Sequence, residues 1–435
     1  MPAIGSSLES WLQYISSVHP REIELGLARI QMVASRLGIG KPAALVITVA
    51  GTNGKGSCIA TMEAILQQAG FKTGCYTSPH INVFNERIRI GASNVDDESL
   101  IAAFEAVDEA RLDETLSYFE FATLAGLFLF RENNVDVALL EVGLGGRLDA
   151  VNIVDADVAV ISSISIDHTD WLGKDIESIA AEKAGIMRPK IPTVFGGAHP
   201  PSAIVARAQE LDSLLLVSGH DFHAEEGTVK GSWRWSGQDQ EGAPISWPDL
   251  PIPSLLLSNV AASLQALQLL PLSLEIESVA VALDGLGLAG RFEKRRDLSS
   301  SRAVILDVAH NPAAMQQLAT RLQRHKAQST GAGRIAVVLA AMSDKDVLGM
   351  IVALEYCVDI WYIAQVDEAR SMAADEVAQA AKSVGILSEQ GRILQFDNVE
   401  LAYRAACDQC DATDTVLVTG SFLTVAAVYG LTEQA

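Results

Sequence analysis

The sequence predicts an α/β protein of two domains, each a largely parallel sheet covered by helices. Short β-branched runs alternate with longer helical stretches, the pattern of strands joined by helical crossovers. The alternation breaks near Gly285–Arg296 (GLGLAGRFEKRR), where glycines give way to basic residues, and then restarts. The chain has 435 residues, room for roughly two to four domains. The expected division is 1–290 and 291–435.

Leu45–Ala50 (LVITVA) is a run apolar enough for a strand buried on both faces. A helix follows over Ser57–Ala69 and stops at Gly70. Helices are expected at Ser99–Arg111 and Phe119–Arg131. The second is apolar almost all round, so it is buried. Val135–Val142 and Asp157–Ile164 are further strands. Val217–Leu250 is rich in Gly, Ser, Trp and Gln and is read as a hairpin insertion. Beyond the break, strands are expected at Ala303–Val308, Arg334–Ala340, Asp359–Ala364 and Val416–Thr419, with a helix over Pro312–His325.

Composition removes several function classes. Lys+Arg number 32 and Asp+Glu 54, a formal charge of −22, so the chain lacks the basic footprint of a nucleic-acid binder. An anionic small substrate remains possible at a local positive site. No apolar run reaches the roughly 18 residues of a membrane span. Met1–Ser10 carries no export signal. Five cysteines, sparse and odd in number, fit a reducing cytoplasm. Cys407 and Cys410 are read as helix residues without chemistry.

Gly51–Ser57 (GTNGKGS) lies between a strand and a helix. Glycines there let backbone N–H groups wrap a phosphate at the positive end of the helix dipole. Gly54 and Gly56 belong to the wrap, Lys55 reaches the outer phosphates, and the Ser57 hydroxyl suits Mg²⁺. Gly56 separates the Lys from the hydroxyl, a departure from the general pattern. The first domain is therefore expected to be a P-loop-type, mostly parallel sheet, and the second a smaller Rossmann-like α/β domain. Glu141 ends a strand, where a parallel sheet presents residues to its crevice, and a carboxylate suits Mg²⁺. Gly143, Gly145 and Gly146 follow it, and Arg147 can pair with an anion. Asp167-His168 ends the next strand. In Ile176–Gly185 (IESIAAEKAG), Ile176, Ile179, Ala180 and Lys183 share one helical face. Spacing alone favours a Lys183 that snorkels to water.

GTNGKGS resembles the folylpolyglutamate synthase/dihydrofolate synthase family, within the Mur ligase group. Other stretches are similar to the same family: YTSPHINVFNERI (Tyr76–Ile88), EVGLGGRLDA (Glu141–Ala150), DHTDWLG (Asp167–Gly173), EKAG (Glu182–Gly185), DVAHNP (Asp307–Pro312), SDKD (Ser343–Asp346) and GSF (Gly420–Phe422). Val151 departs from the Thr common in the family. The likeness runs from about Gly26 to Phe422, nearly the whole chain.

The resemblance implies a site residue by residue. Two Mg²⁺ ions per site are expected, on Ser57 and on Ser78, Glu141 and His168. ATP is expected at Gly54, Lys55, Gly56, Ser57, Asn259, Arg291 and Asp307. Gly26, Leu27, Ala28, Arg29, Phe119, Phe121 and Arg147 are expected around the pterin. Lys183 is expected as an N-carboxylysine. Lys55, Lys183, His310 and Arg87 are the expected catalytic set, with L-glutamate near Arg87, His310 and Ser421.

The implied reaction is ATP-dependent joining of L-glutamate to dihydropteroate and to folates through an acyl phosphate. The enzyme is expected to be a cytoplasmic monomer with small-molecule partners and no nucleic-acid or membrane partner. A synthase that only lengthens folate tails is the near alternative. A Mur-type amino-acid ligase is the further one, and it usually needs an extra N-terminal domain, whereas about 44 residues precede the first strand here. A nucleotide-binding regulator without chemistry would not need Lys55, Glu141, His168 and Lys183 together.

Overall fold

The computed structural model describes all residues except 1, 3, 4, 22, 23, 329–332 and 386–391. The chain divides into two compact units, Met1–Leu286 and Gly287–Ala435. Eight strands form the first unit's main sheet. They are β1 (Leu45–Ala50), β2 (Thr73–Tyr76), β3 (Ile88–Ile90), β4 (Ser93–Asn94), β5 (Val137–Glu141), β6 (Val158–Ile161), β7 (Thr193–Phe195) and β8 (Leu215–Val217), in the order β4-β3-β2-β5-β1-β6-β7-β8. From β2 through β8 neighbours run parallel, while β3 and β4 add on antiparallel at one edge.

β1 is buried from Val46 to Ala50, as expected of a central strand with helices on both faces. The helix after it begins at Lys55 rather than Ser57. Gly54 caps it at φ +90°, a left-handed turn that lets the helix start inside the glycine loop. Helix Tyr118–Glu132 is buried along most of its length. Ser117 and Glu120 close its N-terminus with a capping box: Ser117 N–H donates to Glu120 Oε2 at 2.8 Å, and the Ser117 hydroxyl accepts from Glu120 N–H at 3.4 Å.

The expected hairpin insertion is a three-stranded antiparallel sheet, β9 (His223–Glu226), β10 (Ser232–Gln238) and β11 (Pro244–Pro251), ordered β11-β10-β9. The Trp235 and Trp247 rings pack against each other, tilted by 45° with centroids 5.2 Å apart, and Trp235 Nε1 donates to the Ala261 carbonyl. The tryptophans anchor the insertion to helix Leu257–Gln268. The read stretch began too early, because Val217 still belongs to β8.

The second unit holds β12 (Glu293–Asp297), β13 (Ala303–Leu306), β14 (Ile335–Leu339), β15 (Ile360–Ile363), β16 (Ile393–Gln395), β17 (Thr415–Thr419) and β18 (Thr432–Gln434), ordered β16-β15-β14-β17-β13-β12-β18. β12 was not expected. Its sequence, EKRRD, has no apolar alternation, and it forms because Arg295 is satisfied inside the unit. The Arg295 guanidinium donates to Thr432 Oγ1 at 2.6 Å, the Thr432 carbonyl at 2.7 Å and Glu293 at 2.7 Å, and lies 4.1 Å from the Tyr429 ring centroid. Among the described residues no helix is long and apolar enough to cross a membrane.

Candidate active site

The sequence of crossovers puts a switch point at β1. The chain leaves β1 toward β2 on one side, and β6 pairs on the other. Parallel sheets bind ligands in the crevice at such a point, beyond the strand C-termini. Glu141 ends β5, and Asp167-His168 lie beyond β6. β1 lies between β5 and β6, so the two acidic exits flank the glycine loop.

The loop is pinned by its own neighbourhood. Thr52 N–H donates to the Ser163 carbonyl at 2.8 Å, Asn53 N–H to Ser163 Oγ at 3.1 Å, and the Ser162 and Ser163 hydroxyls to the Asn53 carbonyl at 2.7 and 2.9 Å. A Cβ on Gly54 would come within 2.5 Å of the Asn259 side chain, so the loop and Asn259 need glycine to pack together. Lys55 folds back, and its Nζ donates to the carbonyls of Gly51 at 3.1 Å and Thr52 at 3.2 Å.

Glu141 is buried at the end of β5, and its Oε2 accepts from Ser78 N–H at 3.2 Å. His168 caps the short helix Thr169–Leu172 in a left-handed conformation, φ +51°, with its N–H held by Asp167 Oδ1. Among the described residues no three His, Cys, Asp or Glu side chains converge on one metal position. The expected donors are of another kind, two hydroxyls with Glu141 and His168. The Ser57 hydroxyl, on a buried residue, and the Ser78 hydroxyl hydrogen-bond to no described residue. Hard oxygen donors without a partner among the described residues, one of them on Ser78 next to Glu141, fit Mg²⁺.

Lys183 does not snorkel. It is 4% exposed, and its Nζ donates to the Gly51 carbonyl at 2.9 Å, the carbonyl Lys55 also uses. Burial first, and the Lys55 charge second, push its amine down to about 7. Small residues bring it there: a Cβ on Gly146 would meet the Glu182 carbonyl at 2.7 Å, and one on Gly185 would meet Arg147 at 2.3 Å. The stretch after β5 and the end of helix Ile176–Lys183 are thus packed backbone to backbone.

A cavity of about 230 Å³ opens in the first unit, lined by Glu24, Gly26, Ser78, Arg87, Phe119 and Asp149 among others. It reaches the crevice at Ser78. Of the expected pterin residues, Gly26 and Phe119 line it and five do not. Phe121 is in the core against Phe104, because two residues of helix turn it about 200° from Phe119. Leu27 and Ala28 cap and begin helix Ala28–Arg36. Arg147 is exposed and pairs with Glu182 at 2.8 Å. Arg29 lies behind the wall. It donates to Glu24 Oε1 at 2.7 Å, the Glu24 carbonyl at 2.6 Å and Glu120 at 3.0 Å, so it braces two carboxylates that line the cavity.

Asp149 was missed. It is 3% exposed, and burial pushes its carboxyl up to about 6 despite N–H donors from Leu144 and Val151. A buried Asp two residues beyond Arg147 was the available signal. Arg87 lines the cavity too, and its Nε donates to His80 Nδ1 at 2.8 Å. Burial, then the Arg87 charge, lower the His80 pKa.

The second unit gathers Arg291, Asp307, His310 and Ser421 around the ends of β13 and β17. Asp307 Oδ2 accepts from Phe292 N–H and Oδ1 from Ala309 N–H, at 2.8 and 2.9 Å. Burial raises its pKa, against the pull of Arg291. The Arg291 guanidinium lies 5.2 Å from the Phe422 ring centroid, and His310 Nδ1 donates to the Val308 carbonyl at 2.8 Å. Ser421 caps helix Phe422–Tyr429.

A glycine loop at the switch point of a parallel sheet fits a nucleotide-binding α/β enzyme, and the domain matches place the chain among the Mur ligases. The Mur ligase middle domain matches residues 49–194, and the Mur ligase, glutamate ligase domain matches residues 290–422. The dihydrofolate synthase/folylpolyglutamate synthase of Escherichia coli (strain K12) is 42% identical over 427 residues, covering 98% of this chain and 96% of that protein. Escherichia coli FolC in complex with DHPP and ADP superposes with a TM-score of 0.90 at 41% identity, over 99% of this chain and 98% of that one. A bifunctional folylpolyglutamate synthase/dihydrofolate synthase with Mn, AMPPNP and L-glutamate bound gives 0.88 at 40% identity, over 99% and 98%. The chain belongs to the dihydrofolate synthase/folylpolyglutamate synthase family.

Proposed function

We propose that the protein joins L-glutamate to dihydropteroate, and to folates, at the expense of ATP. The observation that carries this reading is the meeting of cavity and crevice at Ser78, which lines the one and donates its N–H to Glu141 in the other. An acceptor lying in the cavity can present its carboxylate to a phosphate on the glycine loop. The Phe119 ring and the buried Asp149 suit a flat heterocycle with N–H donors along one edge.

The acceptor carboxylate attacks the γ-phosphorus of ATP and releases ADP. The glutamate amine then attacks the acyl carbon of the acyl phosphate, and phosphate leaves with the C–O bond. Lys55 offsets the charge gathering on the transferred phosphoryl group, and Arg291 is assigned to ATP. Asn259, beside Gly54, and Asp307 are assigned to nucleotide, and His310 and Ser421 to L-glutamate. Two Mg²⁺ would be held by Ser57 and by Ser78, Glu141 and His168, and would supply charge neutralisation on the phosphates. Lys183, largely neutral above pH 7, carries the form of amine that adds CO₂ with loss of a proton to water, and the resulting carbamate would be an anion beside Lys55. Five buried, unpaired cysteines support a reducing cytoplasm, and the reading needs only a monomer.

The test is ADP release by purified protein with L-glutamate and either dihydropteroate or tetrahydrofolate. Both acceptors should support turnover, and Lys55→Ala should lower it at least a hundredfold. Activity with one acceptor alone would remove the second activity. No turnover with either would overturn the reading.

A further inference from the structure

Arg87 differs from most half-buried arginines of the first unit. Arg29, Arg89, Arg111 and Arg188 each pair with a carboxylate of the chain. Arg87 pairs with none among the described residues. Its guanidinium lies 5.6 Å from the ring centroids of both Phe84 and Tyr118, and its Nε is engaged by His80. An imidazole accepts at Nδ1 only when that nitrogen carries no proton, so the bond selects the ring form protonated at Nε2 alone. A guanidinium is a rigid planar fork. With Nε tied and two aromatic rings beside the plane, its orientation is set. The terminal nitrogens remain, on a residue that lines the cavity, and their spacing matches the two oxygens of a carboxylate.

We propose that His80 is a positioning residue: its Nδ1 holds the Arg87 fork in the orientation that receives a substrate carboxylate. The proposal rests on the ligase reading, in which the acceptor and L-glutamate each bring a carboxylate. His80 touches neither and acts through Arg87. The competing role is plain packing, since the imidazole also meets the Phe84 ring edge-on at 6.1 Å.

Steady-state kinetics of His80→Leu, His80→Phe and His80→Asn separate the two. Leu and Phe keep bulk and remove the acceptor, while Asn returns an acceptor oxygen close to the Nδ1 position. In the first two variants KM for one carboxylate substrate should rise about tenfold, the loss expected when a bond to a charged group is removed. KM for ATP and kcat should stay within about twofold. His80→Asn should recover most of the loss. Whether the KM for dihydropteroate or for glutamate moves tells which carboxylate Arg87 takes. In an Arg87→Lys background the His80→Leu change should add nothing. Unmoved KM values in whichever of the Leu and Phe variants folds would overturn the proposal, as would an effect of equal size in the Arg87→Lys background or an Asn variant no better than Leu. Wild-type protein without ligase turnover would instead sink the reading beneath it, and this proposal with it.

Discussion

Two regions, the Asp414 corner of the second unit and the crevice of the first, treat their buried charges differently. In the second unit, Asp414 is 2% exposed and accepts from Arg334 N–H at 2.7 Å, the Arg334 guanidinium at 2.8 and 3.1 Å, and Asp411 N–H at 2.9 Å. Asp297 accepts from Ser299, Ser300 and Tyr403. These groups are satisfied by the chain and hold strand ends together. In the first unit's crevice, two lysines share the Gly51 carbonyl and two serine hydroxyls bond no described residue. Buried charge that the chain compensates specifies the fold; charge it leaves under-compensated costs stability and is retained for a ligand.

Lys183 gives the sharpest way to break that contrast. Lys183→Met should abolish turnover and stabilise the ligand-free protein. Its folded pKa, about 7, lies below the unfolded value of about 10.4. The neutral lysine's stability contribution is present above the unfolded value and is lost as pH falls through 7. The variant's advantage should therefore be largest below pH 7, about 1–4 kcal/mol, and fade toward pH 10. Denaturant melts of both proteins from pH 6 to 10 check this. In Lys183→Ala, short carboxylic acids should restore part of the activity by replacing the carbamate. A variant less stable than wild type at pH 6 would mean that Lys183 is compensated after all.

Asp414 makes the opposite case. Burial pushes its carboxyl up, but Asp411 N–H and Arg334 outweigh that and hold it below the usual range. Its stabilisation is present above the unfolded pKa and is lost as pH falls through the folded one. Asp414→Ala should cost about 2 kcal/mol at pH 7 and leave KM for all substrates unchanged below the melting range. Chemical denaturation with parallel kinetics measures both. Loss of substrate affinity without loss of stability would place Asp414 in the site and erase the contrast.

What could be read in the sequence follows from the same difference. β1 and the glycine loop were legible because apolar runs and glycine spacing are local signals, whereas the burial of Lys183 was not, since its helical spacing alone favoured a head in water. The parallel sheets were legible because buried strands are runs of apolar residues. β12 was not, since Arg295 is buried by partners 137 residues away, which no local pattern encodes. The cavity wall was half legible. Gly26 and Phe119 were found, but the choice between Phe119 and Phe121 depends on which way helix Tyr118–Glu132 is turned. That rotation is set by core packing against Phe104. Arg29 lies behind the wall, bracing Glu24 and Glu120, and an arginine near a ligand and one bracing the wall behind it look alike in sequence.

The smallest expected effect concerns Arg147, where resemblance and structure part. Its motif implied contact with the pterin. Its side chain is 56% exposed, lies off the cavity lining, and pairs with Glu182. An exposed pair of this kind is worth about 0–1 kcal/mol. The packing that matters here is in the backbone, where Arg147 N–H donates to the Glu182 carbonyl at 2.8 Å and its Cα crowds Gly185. A change of side chain leaves both in place. Arg147→Gln should therefore keep KM for dihydropteroate within about twofold and lower stability by no more than about 0.5 kcal/mol. Gly185→Ala, two residues past Lys183, should do more damage than removing the charge, because its new methyl would have to displace backbone. A tenfold rise in KM for dihydropteroate in Arg147→Gln would return the guanidinium to the acceptor site and show that the ligand draws it away from Glu182.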